Sequence, residues 1–297
     1  MQIKNIGEFG LIKKIKGWID TKDKSVIKGI GDDCAVMEFD RKRYMLFCSD
    51  MLVEDVDFTG NTCGYWIGRK AMGVVLSDLA AKAGLPRYAL VSLGIPADKD
   101  LNFVKALYSG FKHWAKKFNF EIVGGDLSKA KKVIIDISMI GLVEKEKLPL
   151  RSNAQLNDII FITGKLGRPR KEFYFVPRIE EARYLTSHFQ INAMIDISDG
   201  LLQDLSHILE ESKRGAVIYS LLIPRVSSFK DTDKLLNRGE EFELLFTVSP
   251  SEAKRLIKYK LHFVYGIGQI VNQKNGFKLI DDRYNERAVK IKGYRHF

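Results

Sequence analysis

A chain of 297 residues is about twice the usual domain length, and 45% hydrophobic with 29% charged residues is globular composition, so one large or two medium folded domains are expected. The longest apolar runs, such as 159–162, fall far short of the roughly 20 residues that span a bilayer, and residues 1–12 lack the apolar core and small-residue cleavage site of a secretory leader. The 48 Lys and Arg against 37 Asp and Glu (+11) lack the aromatic interleaving of a nucleic-acid binder, and Cys34, Cys48 and Cys63 form no C-x-x-C pair, so a cytoplasmic protein that partners neither nucleic acid nor membrane is expected.

In chain order, residues 44–48 read as a strand, 64–83 as a helix, 89–94 as a strand and 101–118 as a helix, followed by strands at 120–123 and 133–143. A charged, proline-containing stretch at 144–157 then separates this unit from a second series. That series has strands at 158–163 and 193–197, a helix at 201–211, strands at 216–223 and 242–248, a helix at 250–259 and a strand at 263–267. Alternation of strand and helix makes the class α/β or α+β, with two domains, 1–147 and 148–297.

Neither G-x-x-x-x-G-K-S/T nor G-x-G-x-x-G occurs, and both G-x-S-x-G and H-E-x-x-H are missing, which removes P-loop, Rossmann, nucleophile-elbow and common zinc-hydrolase designs. Carboxylates are set instead in glycine-containing turns or after strands: Asp32 and Asp33 in G-I-G-D-D-C-A-V, Ser49 and Asp50 after 44–48, Asp126 after V-G-G, and Asp196, Ser198 and Asp199 in I-D-I-S-D-G. Each alone reads as a turn or helix cap. Together they form the hard oxygen donor set that Mg²⁺ requires.

Asp78 adds to this. It falls on the apolar stripe Ile67, Ala71, Val74, Ala81 of the helix at 64–83, where a carboxylate needs a metal, a cation or a proton, and a metal is the expectation. Several metals held by acids inside a basic protein suit chemistry that brings phosphate against phosphate.

The ordered motifs resemble the thiamine-monophosphate kinase family, within the superfamily of aminoimidazole ribonucleotide synthetase and selenophosphate synthetase. They are G-I-G-D-D-C-A-V at 29–36, S-D-M-L-V-E at 49–54, L-S-D-L-A-A at 76–81, G-G-D at 124–126, L-R-S at 150–152, I-D-I-S-D-G-L at 195–201 and G-E-E-F-E-L-L-F at 239–246. The resemblance runs from Gly7 to Lys292-Gly293-Tyr294.

It implies an N-terminal domain whose sheet pairs with that of a second subunit, and ATP near the domain junction. It makes Asp33, Ser49, Asp50, Asp78, Asp126, Asp196 and Asp199 magnesium ligands. Asp50, Asp126 and Asp199 are the acids placed at the reaction itself. Tyr108, Gly125, Asp126, Arg151 and Ser198 are implied at ATP, and Asp57, Glu240 and Tyr294 at the thiamine moiety, with Tyr294 stacking on the cationic ring.

The implied reaction is direct in-line transfer of the ATP γ-phosphoryl group to thiamine monophosphate, without a general base because the acceptor oxygen is already deprotonated. Departures fall on the substrate side: Asp57 stands where His is common, Leu127 where Thr often follows G-G-D, Cys48 where many members have Ser or Thr, and Arg238-Gly239-Glu240-Glu241 replaces G-G-E-D. Residues 165–172 are a compressed, basic version of a longer segment. Two other readings stay open: a superfamily enzyme with a different phosphorylated acceptor, and a non-catalytic nucleotide-binding protein that docks a partner through its basic surface.

Overall fold

The computed structural model describes residues 2–169, 171–291, 293 and 294, so Arg170 in the compressed segment and Lys292 at the end of the resemblance lie outside the described residues. The first half comprises α1 (Gly7–Trp18), β1 (Val26–Lys28), β2 (Ala35–Glu38), β3 (Arg43–Val53), α2 (Gly64–Ala81), β4 (Leu85–Ile95), α3 (Leu101–Phe118), β5 (Glu121–Lys129) and β6 (Ile134–Glu144). The second comprises β7 (Ile159–Thr163), α4 (Lys171–Tyr174), α5 (Ile179–His188), β8 (Ala193–Asp196), α6 (Leu201–Ser212), β9 (Arg214–Tyr219), α7 (Thr232–Leu236), β10 (Leu244–Val248), α8 (Pro250–Tyr259), β11 (Val264–Asn272), β12 (Phe277–Ile280) and β13 (Glu286–Ala288).

Two mixed sheets result, a six-stranded one in the order β1-β2-β3-β6-β4-β5 and a seven-stranded one in the order β13-β12-β9-β11-β7-β10-β8. The protein is thus a two-sheet α/β fold, as its alternating pattern predicts.

Helix boundaries are set by recognisable local chemistry. Asp100 caps α3 by accepting from the Asn102 amide, and Asn119 ends it in the left-handed conformation (φ 53°). Ser249 caps α8, Pro250 occupies its first turn, and Lys260 closes it. These two helices coincide with the segments read from sequence.

The strands run further than expected. β3 continues past residue 48 to Val53 and β5 past residue 123 to Lys129, so Asp50 and Asp126 lie within strands and not at their ends. Backbone pairing explains this, since Asp50 sits opposite Ile137 and the ladder with β6 runs unbroken through it, whatever the side chain's polarity. The short elements β1, β2, β12 and β13 and helices α1, α5 and α7 were not anticipated; the strands among them are three or four residues long, too short to display a period.

On the six-stranded sheet, cross-strand rows such as Cys48–Met139–Ala89 and Leu52–Ile135–Leu93 are buried on the side of α2. The intervening rows place Phe47, Met51, Tyr88 and Leu90 on the other side, all of them exposed. α2 and α3 meet through glycine. A Cβ at Gly68 would lie 2.1 Å from the Leu107 carbonyl oxygen, and one at Gly110 2.3 Å from that of Tyr65.

A second contact surface joins the halves. Phe161, Met194, Leu244 and Phe246 of the second sheet and Ile179, Ala182 and Leu185 of α5 belong to the same buried cluster as Ile67, Met72, Val75 and Leu79 of α2. A separate cluster, including Ile195, Leu205 and Ile218, fills the far side of the second sheet. Because backbone cannot yield as a side-chain tip can, Gly68→Ala is expected to lower stability by about 1–3 kcal/mol, read as a lower denaturant midpoint with an unchanged slope.

Candidate active site

Loop, helix and strand converge at the junction of the halves. Asp33 comes from the loop before β2, Asp78 from α2 and Asp196 from the end of β8, and one carboxylate oxygen from each lies within 4.8 Å of the others. Asp50 lies beside them, lining the same cavity as Asp78 and Asp196. Ser77, one residue before Asp78, donates to Asp196 Oδ2 at 2.6 Å.

Two buried cations stand behind the cluster. Lys82, fully buried, contacts Asp32 at 2.6 Å and Asp33 at 2.9 Å, and donates to the carbonyls of Pro149 at 2.9 Å and Met194 at 2.8 Å. Arg151 reaches Asp33 Oδ1 at 2.5 Å through Nη2, and its backbone amide donates to Asp32 Oδ2 at 3.0 Å. Burial would push the Asp33 carboxyl up, but Arg151 and Lys82 outweigh it and hold that group ionised, well below the usual carboxylate range.

For the remaining acids burial wins: Asp196 feels Arg151, but too weakly to offset it. Burial raises Asp50 to about 7, with the charges of Asp57, Asp136 and Asp199 adding and the neighbouring Asp78 carboxyl opposing. Burial and then the charge of Asp33 raise Asp196 to about 7, against the Ser77 hydrogen bond. Asp78 is pushed well above its ordinary value by burial and by Asp50, Asp196 and Asp33. Among the described residues Asp78 forms no ion pair, so the salt-bridge explanation of its place on an apolar stripe fails. A converging set of carboxylates that hold protons for want of a counter-charge is the donor set a hard divalent ion fits.

The acids open onto a cavity of about 140 Å³ lined by Asp50, Asp78, Asp196, Ser198 and Asp199 at one end and by Asp57, Lys70, Glu240, Phe242 and Tyr294 at the other. The three residues expected at the thiamine moiety are therefore brought together. Asp57 is held by accepting from the Val53 amide at 2.7 Å, and the Tyr294 amide donates to the Asp199 carbonyl at 3.1 Å. Glu240 (φ 61°) and Phe242 (φ 47°) adopt left-handed backbone that residues bearing side chains rarely take, a strain that collects at functional sites. The Phe242 ring stacks on Phe175 at 4.0 Å, and Phe175 fits over Gly73, whose missing Cβ would lie 2.6 Å from its ring.

Not every expected ligand is here. The row Asp50–Ile137–Val91–Gly125 crosses three strand spacings, which puts Asp126, the neighbour of Gly125, roughly 14 Å from Asp50. Ser49 alternates with Asp50 and points to the opposite face of the sheet. Tyr108, Gly125 and Asp126 line a different, shallow cavity of about 430 Å³ with Val91 and Leu127.

Asp199 borders the first cavity but also groups with Asp204 and His207 of α6, one ligand atom of each lying within 4.8 Å of the others. Asp204 accepts from the amides of Asp199 and Gly200, tying down the start of α6. Burial and then Arg151 lower His207 to about 4, so its imidazole is neutral. Sequence reasoning missed Lys70, Lys82, Asp204 and His207. Lys70 could have been found, since it lies one turn from Val74 on the stripe that carries Asp78.

With this geometry in view, the chain's likenesses are informative. Residues 31–143 match the AIR synthase related protein, N-terminal domain, and residues 136–280 the AIR synthase related protein, C-terminal domain. The thiamine-monophosphate kinase of Buchnera aphidicola subsp. Acyrthosiphon pisum is 33% identical, the alignment covering 98% of each chain. That of Aquifex aeolicus is 33% identical over 100% of each.

The chain belongs to the thiamine-monophosphate kinase family.

Among solved structures, AaThiL complexed with AMPPCP and TMP aligns over 100% of this chain and 99% of its own, with a TM-score of 0.85 at 29% identity. The family motifs at 29–36, 76–81 and 195–201 are the segments that deliver Asp33, Asp78 and Asp196 to one point, and the motif at 239–246 is the strained loop bearing Glu240.

Linkage gives a test of the acid cluster. Asp50 and Asp196 have folded-state values raised above their unfolded ones, so the metal-free protein is more stable below about pH 4 to 7 and loses that contribution as pH rises through about 7. Between pH 6.5 and 8, a window above the range where His207 titrates in the opposite sense, metal-free protein is expected to lose on the order of 2 kcal/mol. Added Mg²⁺ should raise the melting temperature more at pH 8 than at pH 6.5, because it binds the ionised carboxylates. Melting curves in chelator and in Mg²⁺ at both pH values check this; a metal-free melt that rises with pH would contradict it.

Proposed function

We propose that the protein phosphorylates thiamine monophosphate to thiamine diphosphate at the expense of ATP, with Mg²⁺, in the cytoplasm. The observation that carries this is the cavity itself, lined by Asp78 and Asp196, whose oxygens cluster with one of Asp33, at one end and by Asp57, Glu240 and Tyr294 at the other. Relatives named thiamine-monophosphate kinase and a solved relative holding AMPPCP and TMP support it.

Asp33, Asp50, Asp78 and Asp196, with Asp199 beside them, would hold magnesium, which when bound neutralises the phosphates that must approach each other. Ser49 and Asp126 lie remote from that cluster and, three strand spacings apart, from each other, so they would act only on separate ions. Tyr108, Gly125 and Asp126 receive the nucleotide, with Arg151 and Ser198 toward its phosphates. Asp57 and Glu240 offer negative charge to the thiazolium, and Tyr294 its ring face. The transfer is direct and in line. The acceptor phosphate is already ionised near neutral pH, so no residue need take a proton, in keeping with a His207 that is neutral and engaged at α6.

The protein acts as a homodimer in this reading. Phe47, Met51, Tyr88 and Leu90 form an exposed apolar row-pair on one face of the first sheet, and a second copy of that face would cover it. Leu90, 47% exposed, is not needed for the protomer's own core. Leu90→Asp is therefore expected to shift the sedimenting species from dimer to monomer while the protomer stays folded; a wild-type monomer would overturn the dimer.

Steady-state assay with ATP, Mg²⁺ and a panel of phosphorylated metabolites tests the reaction, the expected result being turnover confined to thiamine monophosphate. Asp50→Asn should lower that turnover roughly a thousandfold, the scale of a lost electrostatic contribution, while the metal-free melt holds or rises, because one of four crowded carboxylates is gone. Near-normal turnover would remove Asp50 from the reaction, and a collapsed melt would make it structural.

A further inference from the structure

Lys70 is the one cationic side chain among the described residues that line the acid-rich cavity; the acids lining it are Asp50, Asp57, Asp78, Asp196, Asp199 and Glu240. It stands on α2 two turns before Asp78, about 12 Å away along the helix axis. The side chain is 3% exposed, yet its Nζ lies 2.5 Å from Glu240 Oε1 and donates to the Asp57 carbonyl at 2.7 Å. Glu240 is held in place by its strained backbone and by its amide, which donates to the Ser198 carbonyl at 2.7 Å. The cavity thus contains, at its acceptor end, a close ion pair with one partner buried and the other open to the cavity.

An ion pair whose whole task is to hold a loop gains little over an apolar pair of the same shape, because desolvation offsets the attraction. A pair facing a ligand that carries both charges is different. Thiamine monophosphate has a fixed cationic ring and an anionic phosphate, so each member of the pair can exchange its protein partner for a ligand partner and no buried charge is left bare.

We propose that the acceptor splits the Lys70–Glu240 ion pair, Lys70 taking its phosphate and Glu240 its cationic ring. This rests on the thiamine monophosphate reading above. It makes Lys70 a specificity residue that recognises the phosphorylated form. Unphosphorylated thiamine brings only a cation, which must compete with Lys70 for Glu240 and offers Lys70 nothing in return.

Calorimetric titrations without ATP, using thiamine monophosphate and thiamine on the wild type, Lys70→Met and Lys70→Arg, test this. Lys70→Met is expected to weaken thiamine monophosphate roughly ten- to a hundredfold, the scale of a lost charge-assisted hydrogen bond, and to leave thiamine unchanged or bound more tightly. Lys70→Arg should retain most of the discrimination, and affinity for a non-hydrolysable ATP analogue with Mg²⁺ should be the same in all three, which also reports an intact fold. Equal weakening of both thiamine ligands in Lys70→Met would show that Lys70 only positions Glu240, and an unchanged thiamine monophosphate affinity would show that it contributes nothing; either overturns the proposal. Wild-type protein that binds the nucleotide but neither thiamine compound overturns the acceptor reading on which the proposal stands.

Discussion

A buried ammonium group holds this site together. Lys82 has no exposed surface and makes four short contacts, two to the acids of the loop before β2 and two to carbonyls at positions 149 and 194 in the second half of the chain. Without it Asp32 and Asp33 would be buried beside Asp78 and Asp196 with Arg151 alone to balance them, and a buried charge deprived of its partner costs several kcal/mol. The same side chain therefore joins Arg151 in keeping Asp33 ionised and seats the loop against β8. Its position follows from α2, whose last turn ends at Ala81 and is closed by Ala83 in the left-handed conformation (φ 51°), with the Gly84 amide on the Leu79 carbonyl at 2.9 Å.

Charge is distributed with a purpose that the overall +11 conceals. Cations behind the site hold Asp33 ionised, while Asp50, Asp78 and Asp196, which face the cavity, are left uncompensated. The interior thus leaves uncompensated negative charge facing the cavity, which favours cations that arrive from outside. α2 ties the two ends of that cavity together, since Lys70, Val74 and Asp78 fall on one line of its surface. Close glycine contacts with α3 keep that line from shifting.

Much of this was readable in the chain. The period that exposed Asp78 as a carboxylate on an apolar stripe is a geometric property of a helix, and the structure places Asp78 where that period implies. The helices at 101–118 and 250–259 are found where the sequence places them, and the structure shows that local caps set their ends. The sequence places Asp50 and Asp126 at strand ends, whereas backbone ladders continue under polar side chains when the neighbouring strand is long enough to pair with them. The separation of Asp126 from Asp50 depends on strand order, which no local signal carries, whereas Ser49 is turned away from Asp50 simply by the alternation of a strand. Lys82 eluded the sequence reading for a related reason: a lysine at a helix end reads as a solvated cap, and only the approach of loops from positions 32, 149 and 194 turns it into a buried hub.

The shared core between α2, α5 and the strands β7, β8 and β10 bears on how the molecule comes apart. α2 belongs by sequence to the first sheet, but its apolar face packs on Phe161, Met194 and Phe246 of the second as well as on Ile135 and Ile137 of the first. Neither sheet can lose its fold without exposing the helix that the other needs. The two halves are consequently one cooperative unit. Free energy released by a ligand at their junction opposes every opening that parts the two sheets, so occupancy of a small acid-lined cavity bears on how often the segments packed around α2 are exposed to a protease.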